Sequence, residues 1–285
     1  MYYGLILLSV AIFGGCFALD DTYQRRRGTS LRISLEYSLI SAVAGLIMLS
    51  VINGFQIEIT LFTLFMALLS SLTGFGYTFC TFRALRTINL SLYSVFAMLG
   101  GMLLPSLQGI LFYGESFTWG KTVCFALIAI ALSLTVRRGT WRKGILYYIG
   151  VFVLNGMSGV LSKIYTESLL EKASAAGYSI LICLCTAFIA ALLLPFLRGH
   201  KAQTSTTAAL GIGFMSGAGN KLANYFLIIA LMHVDASVQY PMVTGGVMIV
   251  STLISCMGPK KPSRREIISV VLGFAGMLAL FLLPG

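Results

Sequence analysis

The sequence predicts an all-α membrane protein of ten transmembrane helices in two inverted five-helix repeats, and three observations lead there. Hydrophobic residues make up 58% of the 285 positions and charged residues 10%, where an average soluble domain is about a quarter charged. A chain of this length, at about 20 residues per crossing plus short loops, holds roughly ten spans. The chain also matches itself weakly at an offset of 146 residues.

The composition excludes an ordinary water-soluble enzyme. With a mean hydropathy of +0.91 and no long polar stretch, it also excludes a soluble domain on a single anchor. Apolar runs between polar punctuation give spans at about 2 to 19, 32 to 53, 59 to 83, 90 to 113, 117 to 136, 144 to 166, 175 to 197, 207 to 231, 236 to 257 and 265 to 284. The first span begins apolar at Tyr2 with no Lys or Arg before it, so it lacks the basic region of a cleavable signal peptide. The junctions include Asp20 and Asp21 with Arg25 to Arg27, the stretch Arg86 to Asn89, and His233 to Asp235. The six cysteines lie in or at the ends of apolar segments without a Cys-x-x-Cys or His/Cys cluster, which argues against a disulfide framework or a zinc site.

The offset of 146 pairs Tyr2 with Tyr148, Gly4 with Gly150, Leu8 with Leu154, Ala84-Leu85 with Ala230-Leu231, and Ser91 with Ser237. Two units follow, residues 1–138 and 139–285. Five spans per unit is an odd number, so the second unit enters the membrane upside down relative to the first. The charges test this independently. Loops after the odd-numbered spans carry Arg25, Arg26, Arg27, Arg32, Arg83, Arg86, Arg137, Arg138, Arg142, Lys143, Arg198, Lys201, Lys260, Lys261, Arg264 and Arg265. The opposite side has Lys121, Lys163 and Lys172. By the positive-inside rule the first set is cytoplasmic and both termini are outside, in a multi-pass protein of the plasma membrane. The net charge of +11 is thus a topology signal and not a nucleic-acid footprint.

Two stretches carry a resemblance. Gly100-Gly101 through Pro105 to Phe112-Tyr113-Gly114-Glu115, and Tyr240-Pro241-Met242-Val243-Thr244-Gly245-Gly246, resemble the fourth and ninth spans of the drug/metabolite transporter superfamily, EamA-like branch. The second stretch is also similar to the third helix of small multidrug resistance proteins. The resemblance implies two five-helix repeats, alternating access, and a cavity lined by spans 1, 3, 4, 6, 8 and 9. Gly100, Gly101, Pro105, Pro241, Gly245 and Gly246 would then give close packing and bendable points. The chain departs from the pattern in three ways: spans 1 and 6 hold no acidic residue before Asp20 and Glu167, the two prolines sit about a turn from their usual place, and the charge count puts the termini outside. The glutamate-based proton mechanism of the small multidrug resistance proteins is therefore not carried over.

Lys221 stands near the middle of span 8. A buried ammonium costs on the order of 3 kcal/mol even on the lenient insertion scale, which marks it as a functional candidate. At i+3 and i+4, Asn224 and Tyr225 extend a polar face. Lys221 would bind a substrate carboxylate or phosphate; the plainer reading is a lysine snorkelling to an interface. Polar stripes at helical spacing also mark span 3 (Ser70, Thr73, Tyr77, Thr81), span 6 (Asn155, Ser158, Ser162) and span 9 (Ser237, Tyr240, Thr244, Ser251), with Tyr93, Gln108 and Gln239 as further candidates. Such serines and threonines also serve plain helix packing. Glu36 reads as an interfacial partner of Arg32, one turn away.

These residues predict a secondary transporter, not an enzyme, with no cofactor. Its partners are the lipid bilayer and a small polar or amphipathic metabolite with a lean to an anionic group; homo-oligomerisation stays open and nucleic acid is excluded. One alternative is an exporter of hydrophobic cations or drugs, which would want an acidic cavity. Another is an intramembrane serine protease, because Gly156-Met157-Ser158-Gly159 matches Gly-x-Ser-Gly, but that chemistry needs a His on a neighbouring helix and neither His lies in a span. A structural or regulatory membrane protein is the third.

Overall fold

The structure is a computed structural model that describes residues 2–88, 90–114, 118–135, 141–197, 206–231, 234, 236–258 and 261–283. Its elements are α1 (Tyr2–Arg27), α2 (Leu31–Ile52), α3 (Leu61–Thr87), α4 (Leu90–Phe112), α5 (Trp119–Thr135), α6 (Trp141–Glu167), α7 (Ala175–Leu193), α8 (Thr206–Leu231), α9 (Ala236–Met257) and α10 (Arg264–Leu282). A 3-10 turn, Leu194–Phe196, follows α7. The described residues are helical with no strand. Among them, α1, α2, α3, α4, α6 and α7 are long and apolar enough to cross a membrane.

The expected spans match these helices to within a few residues, except at the end of the first. There α1 continues past Leu19 to Arg27, because Asp21 and Arg25 pair one turn apart at 2.8 Å and hold the last turns helical. Asp20, expected in a junction, therefore lies within the helix. Polar caps delimit several of the others. The side chains of Ser30, Thr60 and Ser174 accept backbone N–H groups at the starts of α2, α3 and α7, and Ser263 with Glu266 forms a capping box on α10.

The helices pack in the cyclic order α8, α1, α9, α4, α6, α3, α7, α2 and back to α8, while α5 and α10 lie against each other outside α4 and α9. Contacts fix the directions. Tyr23 of α1 stacks on Phe82 of α3, Arg32 of α2 donates to the Leu197 carbonyl beyond α7, and Thr87 of α3 meets Tyr148 of α6. These contacts bring the C-terminal ends of α1, α3 and α7 to one end of the bundle with the N-terminal ends of α2 and α6, and with them the arginines near the C-terminal ends of α1 and α3. Here Arg27 and Arg32 share Glu36 at 2.5 Å and 3.1 Å, and the second pair is the interfacial pair its spacing predicts.

Close approach depends on glycine at the α4–α6 crossing. A Cβ on Gly100 would lie 2.1 Å from the Phe152 carbonyl oxygen, one on Gly156 would lie 2.6 Å from the Gly100 carbonyl oxygen, and one on Gly159 would lie 2.5 Å from Pro105 Cγ. Only hydrogen fits, as at small-residue crossings in membranes generally. The Gly-x-Ser-Gly of residues 156–159 thus has a packing reason for both its glycines. At the α1–α9 crossing, a Cβ on Gly246 would meet Val10 Cγ1 at 2.7 Å and one on Gly14 would meet Val250 Cγ1 at 2.3 Å.

Candidate functional site

Two lines of contact on α8 decide where its polar residues point. Toward α1, Ser9 donates to the Ala223 carbonyl at 3.1 Å, and a Cβ on Gly219 would touch Cys16 Sγ at 2.9 Å. Toward α2, a Cβ on Gly217 would lie 2.4 Å from Ser41 Cα, and the stem of Lys221 crosses Gly45. At about 100° per residue, Asn220 and Asn224 fall between these lines and face the inside of the ring. The side away from Asn220, with Phe214 and Met215, is apolar and exposed, as a lipid-facing surface should be.

Helices α3 and α6 are likewise two-faced. Leu61, Phe65, Leu68 and Leu72 form the exposed outer stripe of α3, and Leu146, Ile149, Val153 and Met157 that of α6. The polar stripes Ser70, Thr73, Tyr77, Thr81 and Asn155, Ser158, Ser162 lie on the other side of each helix, toward the interior. Ser70 shares a hydrogen bond of 2.7 Å with Tyr178 of α7. Asn155 donates to the Ala97 carbonyl of α4 at 2.6 Å.

At the arginine-rich end the interior is filled. Tyr93 is fully buried, its hydroxyl 2.6 Å from that of Tyr77 and 3.2 Å from Thr81 Oγ1, and Phe17 packs edge-on against its ring at 5.1 Å. Leu85, Phe96, Tyr148, Val151 and Val247 complete this plug. Toward the opposite end, inward-facing Gly74, Ser158 and Asn224 are exposed, and a Cβ on Gly74 would meet nothing within 4 Å. Among the described residues, the interior is therefore packed shut at one end and carries exposed side chains toward the other.

Lys221 is half-buried. Its Cγ and Cε would lie 2.7 Å and 3.3 Å from a Cβ on Gly45, and Cys183 Sγ of α7 would lie 3.1 Å from the same point. It has no hydrogen-bond or ion-pair partner among the described residues. Asn224 donates back to the Asn220 carbonyl and side-chain oxygen. Tyr225 lies beside Phe226, about 140° around the helix from Asn220, so Asn224 faces the interior and Tyr225 does not. Gln108 is buried in α4 with its Oε1 lacking an acceptor's partner. Gly101 packs on Asn155, where an added Cβ would lie 2.6 Å from Nδ2. Gly245 is buried in α9. The side chains of Gln239, Tyr240 and Pro241, and all of Glu115, His200 and His233, lie outside the described residues.

Asp20 joins the interior although the span pattern places it in a junction. The Tyr37 hydroxyl of α2 donates to Asp20 Oδ1, and Ser216 Oγ of α8 reaches the same oxygen at 2.7 Å, joining three helices beside the plug. Tyr37 and Ser216 are themselves 3.0 Å apart. Asp20 Oδ2 takes no hydrogen bond and no cation pairs with it among the described residues. The signal that could have found it is the Asp21–Arg25 spacing, which continues the helix through position 20.

The chain matches no family model, and no curated protein matches it. It is similar in fold to solved structures, including a crystal structure that it superposes on with a TM-score of 0.64 at 18% identity, covering 96% of this chain and 94% of that one. That likeness shows the fold, over nearly the whole of both chains.

Proposed function

We propose that this chain is an EamA-like secondary transporter that moves a small polar or amphipathic metabolite, leaning to one with an anionic group, by alternating access. The observation that carries the reading is a polar interior built by α3, α6 and α8 that is sealed at the arginine-rich end and accessible toward the other. A pathway open at one end at a time is what alternating access requires.

Ten spans in two inverted repeats, residues 1–138 and 139–285, are supported by the packing. Exchanging α1–α5 for α6–α10 turns the pair α1–α8 into α6–α3, α1–α9 into α6–α4, and α2–α8 into α7–α3, all of which are packed pairs. At residue level, the contact of Gly246 with Val10 becomes, at an offset of 146, the contact of Gly100 with Gly156. With the arginine-rich end cytoplasmic, both termini are outside, the membrane is the plasma membrane, and the interior is open outward. Lys221, Asn224, Asn155 and Ser158 line the pathway, Tyr77 and Tyr93 belong to the plug that closes it, and Lys221 supplies the cation for a carboxylate or phosphate.

A thermal-shift screen of the purified protein against amino acids, nucleobases, sugar phosphates and quaternary amines, followed by flux of the hits into proteoliposomes, tests this. Anionic ligands shift the wild type, and Lys221→Ala abolishes the shift; equal shifts in both refute the role of Lys221. No flux of any hit refutes transport. A reporter fused at Gly285 reads extracellular; a cytoplasmic reading refutes the orientation. A second reading, an exporter of hydrophobic cations, is favoured by the uncommitted Oδ2 of Asp20 beside Phe17, Tyr77 and Tyr93. It predicts that quaternary amines shift the wild type and that Asp20→Asn removes the shift.

A further inference from the structure

Arg83 of α3 stands one turn beyond Phe79 and continues the line of Phe65, Leu68 and Leu72, all exposed on the outer face. It therefore looks out of the bundle at the arginine-rich end. Its guanidinium carbon lies 5.4 Å from the centre of the Phe79 ring and 5.8 Å from that of Tyr147 in α6. Those two rings are 6.0 Å apart and nearly perpendicular, at 77°. The group is thus held in a corner of two π faces, an arrangement that orients a cation and limits its freedom to swing toward water.

The groove beneath it is rigid. A Cβ on Gly150 would touch Cys80 Sγ at 2.6 Å, so the Cys80 side chain packs directly on the α6 backbone, and Thr87 Oγ1 and Tyr148 Oη close the end at 2.8 Å. Arg83 Nε is cut off from solvent and has no acceptor, while its two Nη nitrogens are neither shut in nor hydrogen-bonded within the described residues. Arg25, Arg27 and Arg32 at the same end each hold a carboxylate; Arg83 holds none among the described residues. A fixed guanidinium with free forward donors, on a lipid-facing groove at an end rich in basic residues, lacks only an anionic acceptor. Arginine meets phosphate with two parallel hydrogen bonds, and basic pockets between helices on the cytoplasmic side bind lipid head groups.

We propose that the α3–α6 groove at the arginine-rich end is a binding site for an anionic phospholipid, whose phosphate is held by the Nη edge of Arg83 between Phe79 and Tyr147. The site lies outside the ring and is independent of the transport reading. The test uses the full chain in neutral detergent, with dioleoylphosphatidylglycerol, dioleoylphosphatidylcholine or inorganic phosphate added, and reads bound lipid by native mass spectrometry together with Tm. Phosphatidylglycerol binds and raises Tm more than phosphatidylcholine does. Arg83→Gln weakens its binding about tenfold, as expected for one lost charge-assisted pair. Arg83→Lys does not restore it, because an ammonium lacks the planar fork. Phe79→Leu, which keeps the charge and loosens the corner, weakens it several-fold and serves as the decisive variant if Arg83→Gln does not fold. Equal binding of the two lipids, or wild-type binding by the folded Arg83 variants or by Phe79→Leu, overturns the proposal. So does a Tm rise with millimolar inorganic phosphate that matches that of the lipid, since the ligand would then be free phosphate.

Discussion

Gly100→Ala is the sharpest perturbation the α4–α6 crossing allows. The new Cβ would lie 2.1 Å from the Phe152 carbonyl oxygen and 2.7 Å from Phe152 Cα. Both are backbone atoms and cannot rotate away, so reaching an ordinary 3.4 Å contact moves the helices apart by about 1.3 Å at this level. That separation strains a packed crossing, at about 1–3 kcal/mol, and lengthens the 2.6 Å bond from Asn155 to the Ala97 carbonyl, worth about 0.5–1.5 kcal/mol. The gain in helix propensity from Gly to Ala offsets up to about 1 kcal/mol. The net expectation is a loss of about 2 kcal/mol, read as a lower Tm in detergent. Two companions calibrate it. Gly246→Ala meets only the Val10 side chain, which can turn, so its loss is smaller; Gly4→Ala meets nothing within 4 Å and leaves Tm unchanged or higher. If Gly100→Ala unfolds at or above the Tm of Gly4→Ala, the backbones of α4 and α6 do not meet at Gly100.

Three further outcomes follow from the interior. Asp20→Leu removes the acceptor shared by Tyr37 and Ser216 and loosens the sealed end, so Cys16, buried behind it, reacts faster with maleimide in a protein whose other cysteines are serine; Asp20→Asn, still an acceptor, leaves the rate near wild type, and equal rates in all three refute the junction. Tyr93→Phe deletes the hydroxyl bonded to Tyr77 and Thr81 and lowers stability by about 1–3 kcal/mol in a denaturant melt, whereas an unchanged midpoint removes Tyr93 from the plug. Gly45→Val displaces the Lys221 stem that crosses it and reproduces the ligand profile of Lys221→Ala in the thermal-shift screen; a wild-type profile means that Lys221 does not depend on that groove.

Much of the fold is legible in the sequence because lipid leaves an apolar helix few alternatives: with its backbone satisfied internally, a run of about 20 apolar residues predicts helix ends almost directly. The polar stripes on α3 and α6 are legible for the same reason, since an outer face in contact with lipid forces serines, threonines and asparagines inward. Asp20 is hidden because adjacent charges read as a junction, yet Asp21 and Arg25 satisfy each other along the helix surface while Asp20 turns toward Tyr37 and Ser216. These two partners lie 17 and 196 residues away, and no local pattern announces them. The double role of Asn155 is hidden likewise: it sits on an inward polar stripe, but its amide is committed to the Ala97 carbonyl of α4, which leaves less of it for a ligand than its position implies.

Asp20 and Lys221 are opposite charges on the same bundle, and their separation decides what each can do. Asp20 meets α8 at Ser216, five residues before Lys221, which is roughly 7.5 Å along the axis and about 140° around it. They do not form an ion pair, so neither neutralises the other. Had they paired, the bundle would hold a structural salt bridge, and replacing both with apolar residues would be neutral or stabilising. Unpaired, each must find its own compensation. Among the described residues, Asp20 has two hydroxyls on one oxygen and none on the other, and Lys221 has an alkyl stem laid across a glycine with no partner at its tip. The acid is tied by Tyr37 and Ser216 into the filled end, where it can respond to a change in helix packing, and the ammonium lies half-buried beside Gly45, unpaired among the described residues. On the transport reading proposed above, that division of labour makes Lys221, more than Asp20, the group to associate with the solute, and Asp20, more than Lys221, the group to associate with opening.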